Sequence, residues 1–440
     1  MKVTARQEVG ESVTMYDVVI VGGRPAGASL AARLGSWGLS VLIVDKATFP
    51  SLPEVPSCPV IHQGTIALFE ELGFKESLFE GVTKIHKSVA QVGDEQRSEA
   101  EIPAARGRDY LYGLDRAVFD AALWKYLGRF PKIEARQGFR VVDVLRNPEG
   151  RVIGIEGVGE GGVQQKLYAR HCVVGADGRH SLISRKVEAK IVQDCSQYTS
   201  TVHFAEWDNL TPATHSGEPA VHAITGGRGQ NVLFFPSAGG RVNVATHVRS
   251  DRSGTEGDAQ GYYMNILNSF AGVRQRLAGA RQLRALVGVR KIGNRYREHG
   301  GPGWVLVGDA LHHKDPIDTQ GIYDALIESK RLAGLLLTYH QKVLSWEQVL
   351  ASYKDAICQE TLEMFKQTTK AVRSGLYQDI PKVVLRTAMR WLMQDPTYRR
   401  QSVRFIAREI SPASWLTAGL VFGALGRGIK KDLEQIYRSE

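Results

Sequence analysis

The segment from Tyr16 to Lys46, YDVVIVGGRPAGASLAARLGSWGLSVLIVDK, constrains this chain more than any other. An apolar strand, a Gly-rich turn, a helix of small residues and a second apolar strand ending in an acid make a βαβ unit. Parallel strands joined by a crossover helix commit the chain to an α/β fold, because helices must cover both faces of such a sheet. Gly22 and Gly23 stand at the exit of the first strand, where Gly22 makes the tight turn. Ala26 and Gly27 open the helix, and Gly27 lets it pack closely on the sheet while the N-terminal amides face a diphosphate. Asp45 closes the second strand, where a carboxylate accepts hydrogen bonds from a ribose diol. Together these features make the dinucleotide fingerprint in its structural context. Arg24 departs from it, standing where a middle glycine usually lets the backbone approach the phosphates. Its guanidinium is expected to supply charge to them, the alternative being a decayed site that no longer takes a nucleotide. Lys46 is counted with the cofactor set, although an exposed cation explains it as well.

Composition bounds the rest. At 440 residues, with 43% hydrophobic and 23% charged, the chain can bury a large core divided between two or three packed units, which excludes disorder and coiled coil. Its 4 cysteines, Cys58, Cys172, Cys195 and Cys358, form neither a disulfide framework nor a paired-thiol centre, so a reducing cytoplasm is expected. A net charge of +10 suits anionic partners such as phosphorylated cofactors, acidic substrates or a lipid surface, and nothing in the sequence supports nucleic acid. The opening run MKVTARQEVGESVT lacks the apolar core of a secretory signal. No stretch approaches the ~20 apolar residues of a membrane span.

Two further motifs lie far down the chain. CVVGADGRHSLISR, residues 172–185, is a buried strand ending in Asp177 and Gly178, followed by a polar helical segment. GPGWVLVGDALHHKDPIDTQGIYDALIESKRLAGLLL, from Gly301, runs from a strand into Gly308 and Asp309, crosses a polar loop, and reopens as an amphipathic helix at Gln320 and Gly321. A GxGxxG-like start, ADGxxSxxxR and GDAxHxxxPxxxQG in this order resemble the single-Rossmann flavoproteins related to p-hydroxybenzoate hydroxylase, geranylgeranyl reductases and flavin-dependent halogenases. Within that superfamily G-x-R-x-A-G, VDKATFPS, the Ile-His pair at His62 and HKDPxxxQGIxDA resemble a bacterial branch of FAD-dependent oxidoreductases, and the likeness reaches the C-terminal ISPASW.

The resemblance implies a fold, a cofactor and a site. The fold is α/β: a discontinuous Rossmann-like FAD-binding domain at 15–85, 107–188 and 295–340, an inserted antiparallel-sheet substrate domain at 86–106 and 189–294, and a helical C-terminal region at 341–440. FAD is then held by Gly22, Gly23, Arg24, Ala26, Gly27, Asp45, Lys46, Arg116, Val141, Asp177, Gly308, Asp309, Pro316, Gln320, Gly321 and Ile322. Asp309 binds the ribityl chain, the helix opening at Gly321 aims its amides at the flavin pyrimidine, and Pro316 flanks the reactive edge. Thr319 stands where many relatives have glycine. The implied activity is a monooxygenase that hydroxylates an apolar or aromatic small molecule through a flavin hydroperoxide. Its reductant is NADPH or NADH, met at a surface groove because no second fingerprint occurs. The alternatives are a double-bond reductase of a prenyl or polyketide substrate, a halogenase-like enzyme, for which no WxWxIP-like run is found, and a non-catalytic flavin protein.

No acid or base is assigned. His62, His313 and Pro316 are the catalytic candidates, yet a polar residue opening a helix and a loop histidine held by hydrogen bonds account for His62 and His313 equally. A metal at His312, His313 and Asp315 is not expected, since adjacent loop residues point apart. The basic C-terminal helices are expected to cap a hydrophobic substrate chamber, with peripheral membrane contact as the alternative. The oligomeric state is left open.

Overall fold

A computed structural model describes residues 14–54, 57–79, 81–227, 229–253, 257–378 and 381–439; most of the opening run MKVTARQEVGESVT lies outside them. The strand Met15–Val21 is buried from its second residue onward, its apolar run Val18–Val21 preceded by a buried Asp17 that pairs with Arg170. It pairs in parallel with Val41–Val44 on one side and with the end of Gln164–Gly175 on the other. Ile133–Arg136 and Trp304–Leu306 extend the parallel sheet outward. The helices Pro25–Ser36 and Gly321–His340 pack together against it, and Leu30, Leu34, Leu326, Leu332 and Leu336 are fully buried between them and the strands.

A second sheet is built from Ser200–Asp208, Val242–Arg249, Gln230–Pro236 and Ala220–Gly227, all antiparallel neighbours. Lys87–Val92 joins Ala220–Gly227 in parallel and carries Gln96–Glu101 at its far side. The sheet is therefore mixed, with one parallel pairing in an otherwise antiparallel array. Side chains alternate faces with a period of two. Trp207, Val232, Phe234, Val244 and Val248 pack under the helices Ala259–Asn268 and Ala271–Leu277. Val202, Phe204, Phe235 and Ala245 face the other way, against Val60, Ile85, Ile102 and Ile292.

Helices fill the C-terminal region. Among the described residues none is long and apolar enough to cross a membrane. Lys382–Gln394 packs beside Ala418–Ser439, where Arg390 and the Trp391 indole both reach Asp432, and Arg427 donates to Asp395 at 2.6 Å. Trp415 of ISPASW stacks on Phe405 at 4.6 Å, which fixes the end of the helix Pro396–Ile406.

Candidate functional site: a dinucleotide cleft closed by the C-terminal segment

The three motifs, more than a hundred residues apart in sequence, converge. Gly22 takes φ +107°, and a Cβ there would collide with the Ala176 carbonyl of the second motif. A Cβ on Gly27 would strike the Gly22 carbonyl, so the turn and the helix touch through bare backbone. Gly308 of the third motif, at φ +62°, lies against Ala26, and the Ser329 hydroxyl donates to the Ala26 carbonyl at 2.8 Å. The first strand, the ADG strand and the GD strand thus present their C-terminal ends side by side, the place where open α/β sheets bind ligands.

Around that edge the sequence-derived residues fall into distinct environments. Asp45 accepts the Gly23 amide at 2.6 Å and the Ala47 amide at 2.8 Å. Lys46 is exposed and pairs with Glu54 at 2.8 Å. The Arg24 guanidinium turns sideways, onto the buried Asp120 carboxylate and the Leu52 carbonyl at 2.9 Å. Arg116 approaches the same carboxylate at 3.0 Å and donates to the Ser57 hydroxyl at 2.6 Å. Asp120 thus holds two cations beside the diphosphate turn. It stands one helical turn after Arg116, a spacing by which sequence could have found it. Val141 is a half-buried strand residue packed on the main core. Asp177 accepts the amides of Leu182 and Ile183 at 2.6 and 3.1 Å and the hydroxyl of Ser181, which caps the helix they open; burial pushes its carboxyl up. Arg297, missed from sequence, ties the second motif to the third by donating to the carbonyls of Arg179 and Ala310 at 3.4 and 3.0 Å.

Asp309 is half-buried and lines a small cavity with Gly308, His312, Lys314, Gly321 and Asp324. Behind it lies a buried charge network. Lys314 contacts Asp318 and Asp324, each at 2.8 Å, and Arg408 donates to Asp324 at 2.7 Å. His312 Nδ1 lies 2.8 Å from Glu328, whose other oxygen accepts the Gly308 amide at 2.6 Å. Burial opposes a charge on His312, but Glu328 and Asp324 outweigh it and raise its pKa to about 9. Thr319 adopts φ +56°, a left-handed conformation costly for a β-branched residue, which explains why glycine suits this position.

The C-terminal segment enters this region. Gln320 donates to the Ile406 carbonyl at 2.9 Å and accepts from Arg408 at 2.7 Å. A Cβ on Gly64 would strike the Ala407 carbonyl. Gln320 is therefore committed to the closing segment, while Gly321 remains at the cavity and Ile322 packs half-buried on the core. Pro316 begins a short turn beside it. His62 is buried against Thr65 at 3.1 Å and Tyr323; burial first, then the Arg408 charge, lower it to about 3, so it is neutral at physiological pH. Burial also lowers His313, with Arg179 and Arg297 adding to the effect. Away from the cleft, Asp17, His171 and His340 gather. The Asp17 carboxylate there is already engaged by Arg170 and the Ser40 amide.

These residues suit a flavin dinucleotide. The glycine turn leaves bare backbone where a diphosphate must approach, and the amides of Ala26 and Gly27 precede the first intrahelical hydrogen bond, Ala28 to Arg24. Arg116 Nε, His62 Nδ1 and the Gln63 amide are buried without protein partners, as groups completed by a polar ligand would be. A family model described as an FAD binding domain matches residues 15–356. The chain belongs to this FAD-binding family. It is similar to digeranylgeranylglycerophospholipid reductase 1 of Methanopyrus kandleri, 25% identical over 86% of this chain and 94% of that protein. The flavin-dependent brominase Bmp2 superposes with a TM-score of 0.77 at 18% identity, covering 97% of this chain and all of that one. The p-nitrophenol 4-monooxygenase PnpA from Pseudomonas putida DLL-E4 gives 0.73 at 17% identity, over 89% and 97%. The chain is an FAD-dependent oxidoreductase with the α/β fold of that group, as the motif order implied.

Proposed function

We propose that this oxidoreductase is an NADPH- or NADH-dependent monooxygenase acting on an apolar, aromatic small molecule. One observation carries the reading: the sheet face formed by Val202, Phe204, Phe235 and Ala245, with Val60, Ile85 and Ile102, lies against the loop that contains Pro316, to which it is tied by Ser200. FAD supplies hydride acceptance and oxygen chemistry when bound. The chain supplies the rest. Asp309 offers an acceptor to the ribityl hydroxyls, the helix from Gly321 offers amides where negative charge develops, and the apolar layer excludes water. Val403 of the closing helix packs on the same layer and covers it.

A second reading, a double-bond reductase acting on a prenyl chain, is favoured by the likeness to the Methanopyrus kandleri reductase. Oxygen separates the two. Turnover of NADPH with phenols that requires oxygen and consumes it supports the monooxygenase; undiminished turnover of a prenyl substrate under anaerobic conditions overturns it in favour of the reductase.

We place the protein in the cytoplasm, on the strength of its free cysteines. The helix Ala418–Ser439 turns Phe422, Ile429, Leu433 and Tyr437 outward on one stripe, with Lys430 at its edge, which supports peripheral contact with anionic lipid. Sedimentation with anionic vesicles tests this, and full recovery in the supernatant contradicts it.

A further inference from the structure

At the edge of the parallel sheet away from the dinucleotide, three ligating side chains that play no part in the cleft come together. The strand Met15–Val21 runs into the glycine turn, so Asp17 lies toward its opposite end. The helix that opens at Gly321 ends there too, at His340. Its 20 residues span about 30 Å, which sets this place well apart from the flavin site.

A bulge makes the cluster. Tyr16 pairs with Ala169 and Val18 with Cys172, so Asp17 alone faces two residues of the strand Gln164–Gly175, Arg170 and His171. The Asp17 side chain is 6% exposed and that of His171 12%, while His340 is open to solvent. His171 Nε2 lies 2.9 Å from His340 Nδ1 and 3.9 Å from Asp17 Oδ1. Tyr339 packs edge-to-face on the His171 ring at 5.1 Å, and Arg151 donates to the His171 carbonyl at 2.7 Å, so the imidazole has a fixed place.

This geometry suits a late first-row divalent cation. Two nitrogens bound side by side at about 2.0–2.1 Å stand about 3 Å apart, the separation the two rings already have. Asp17 Oδ1 stands about 1 Å wider than that, a gap that a side-chain adjustment closes. As the rings stand, one donates its N–H to the other. A cation between them replaces that hydrogen bond: the donating ring carries its proton on its far nitrogen, and each ring gives a lone pair. Imidazole with carboxylate selects zinc, copper or nickel over magnesium and calcium, which prefer oxygen alone. The C-terminal end of the helix Gly321–His340 adds the negative end of its dipole. Two cations oppose the site: Arg151, and above all Arg170, which pairs with the same Asp17 oxygen. Arg170 is more than half exposed and can swing into water, while the other Asp17 oxygen keeps the Ser40 amide at 2.9 Å.

We propose that Asp17 Oδ1, His171 Nε2 and His340 Nδ1 form a binding site for a divalent cation of the zinc type, with water completing its shell. Arg170 is the competing occupant of the Asp17 oxygen. The bound cation ties the first strand, the ADG strand and the end of the helix that begins at the flavin site. The site is independent of the monooxygenase reading.

The test titrates the full-length, FAD-loaded chain, cleared of metals with a chelator, with zinc chloride against a chromophoric chelator. Wild type should take up one zinc per chain in the presence of excess magnesium. His340→Ala, at an exposed position, should bind zinc at least about tenfold more weakly and keep its FAD. Arg170→Gln should bind it about tenfold more tightly, because no guanidinium competes for Asp17. With copper(II) as the probe, the electron paramagnetic resonance spectrum should show coupling to two nitrogens in wild type and to one in His171→Gln; His340→Ala supplies the comparison if that variant fails to retain FAD. Zinc uptake undiminished in His340→Ala, an Arg170→Gln affinity equal to that of wild type, or copper coupled to fewer than two nitrogens overturns the assignment of the ligands. No zinc uptake by wild type overturns the site itself.

Discussion

His312 offers a stability prediction with a worked sign. Its ring is buried, stacks on Tyr296 at 4.9 Å, and stands 2.8 Å from Glu328 and 3.5 Å from Asp324. The two carboxylates lift it from an ordinary 6.5 to about 9. At ~1.36 kcal/mol per unit the rise favours the folded state, but burial raises Glu328 at the same time, so the pair's net contribution is smaller than the His312 shift alone would give. Because the folded state holds the proton more tightly, this contribution is complete below about pH 6.5 and is lost as pH climbs through about 9, at up to ~1.4 kcal/mol per pH unit. His312→Gln keeps a polar side chain but leaves Glu328 buried without its cation, so it should cost about 3 kcal/mol at the acid end of that window. At the alkaline end, where the wild type has itself lost the proton, the two proteins should converge. Urea unfolding midpoints across this window measure the gap, with FAD held at one saturating concentration because bound ligand adds its own stabilisation. A gap between wild type and variant that stays constant from pH 6.5 to pH 9 would refute the reasoning.

Three further outcomes follow from the same geometry. Thr319→Gly should stabilise the fold by about 1 kcal/mol, read as a raised unfolding midpoint, because the left-handed conformation at φ +56° no longer strains a β-branched residue. Asp120→Asn should cost about 3–5 kcal/mol by the same measurement, since it leaves Arg24 and Arg116 together without their shared buried anion. His62 and His222 both fall to about 3 in the folded chain, chiefly by burial. Their proton uptake on unfolding should make stability fall with acidity from about pH 6.5 downward, and substituting His222 by Phe should flatten that slope.

The fold was readable where hydrophobic period and backbone demand coincide. The runs Val18–Val21 and Val41–Val44 could only be buried parallel strands, Gly22 and Gly27 mark contacts where a Cβ has no room, and Gly308 takes a left-handed φ. The order of the three motifs gave the family, since each is tied to a backbone shape that residue types alone encode. Side-chain destinations were less legible. Arg24 was read toward phosphate, yet a buried carboxylate 96 positions later determines where its guanidinium lies. Gln320 reads as a cofactor residue in its motif, but Arg408, 88 positions away, engages its amide. His247 sits in an unremarkable alternating strand, and only the register of the sheet and the turn of the Pro316 loop bring it to Asp315. Contacts of this kind depend on tertiary placement, which no local period records.

Fluorescence titration of the purified chain with FAD tests the central claim most directly, namely that the ends of three strands together hold the dinucleotide through Gly22, Gly27 and Asp309. The account predicts saturable one-to-one quenching of flavin emission, and for a folded Asp309→Ala variant an affinity about tenfold weaker, or ~1.4 kcal/mol, from the lost acceptor. A folded wild-type chain that takes up no FAD, or a variant that binds it as tightly as wild type, would contradict it.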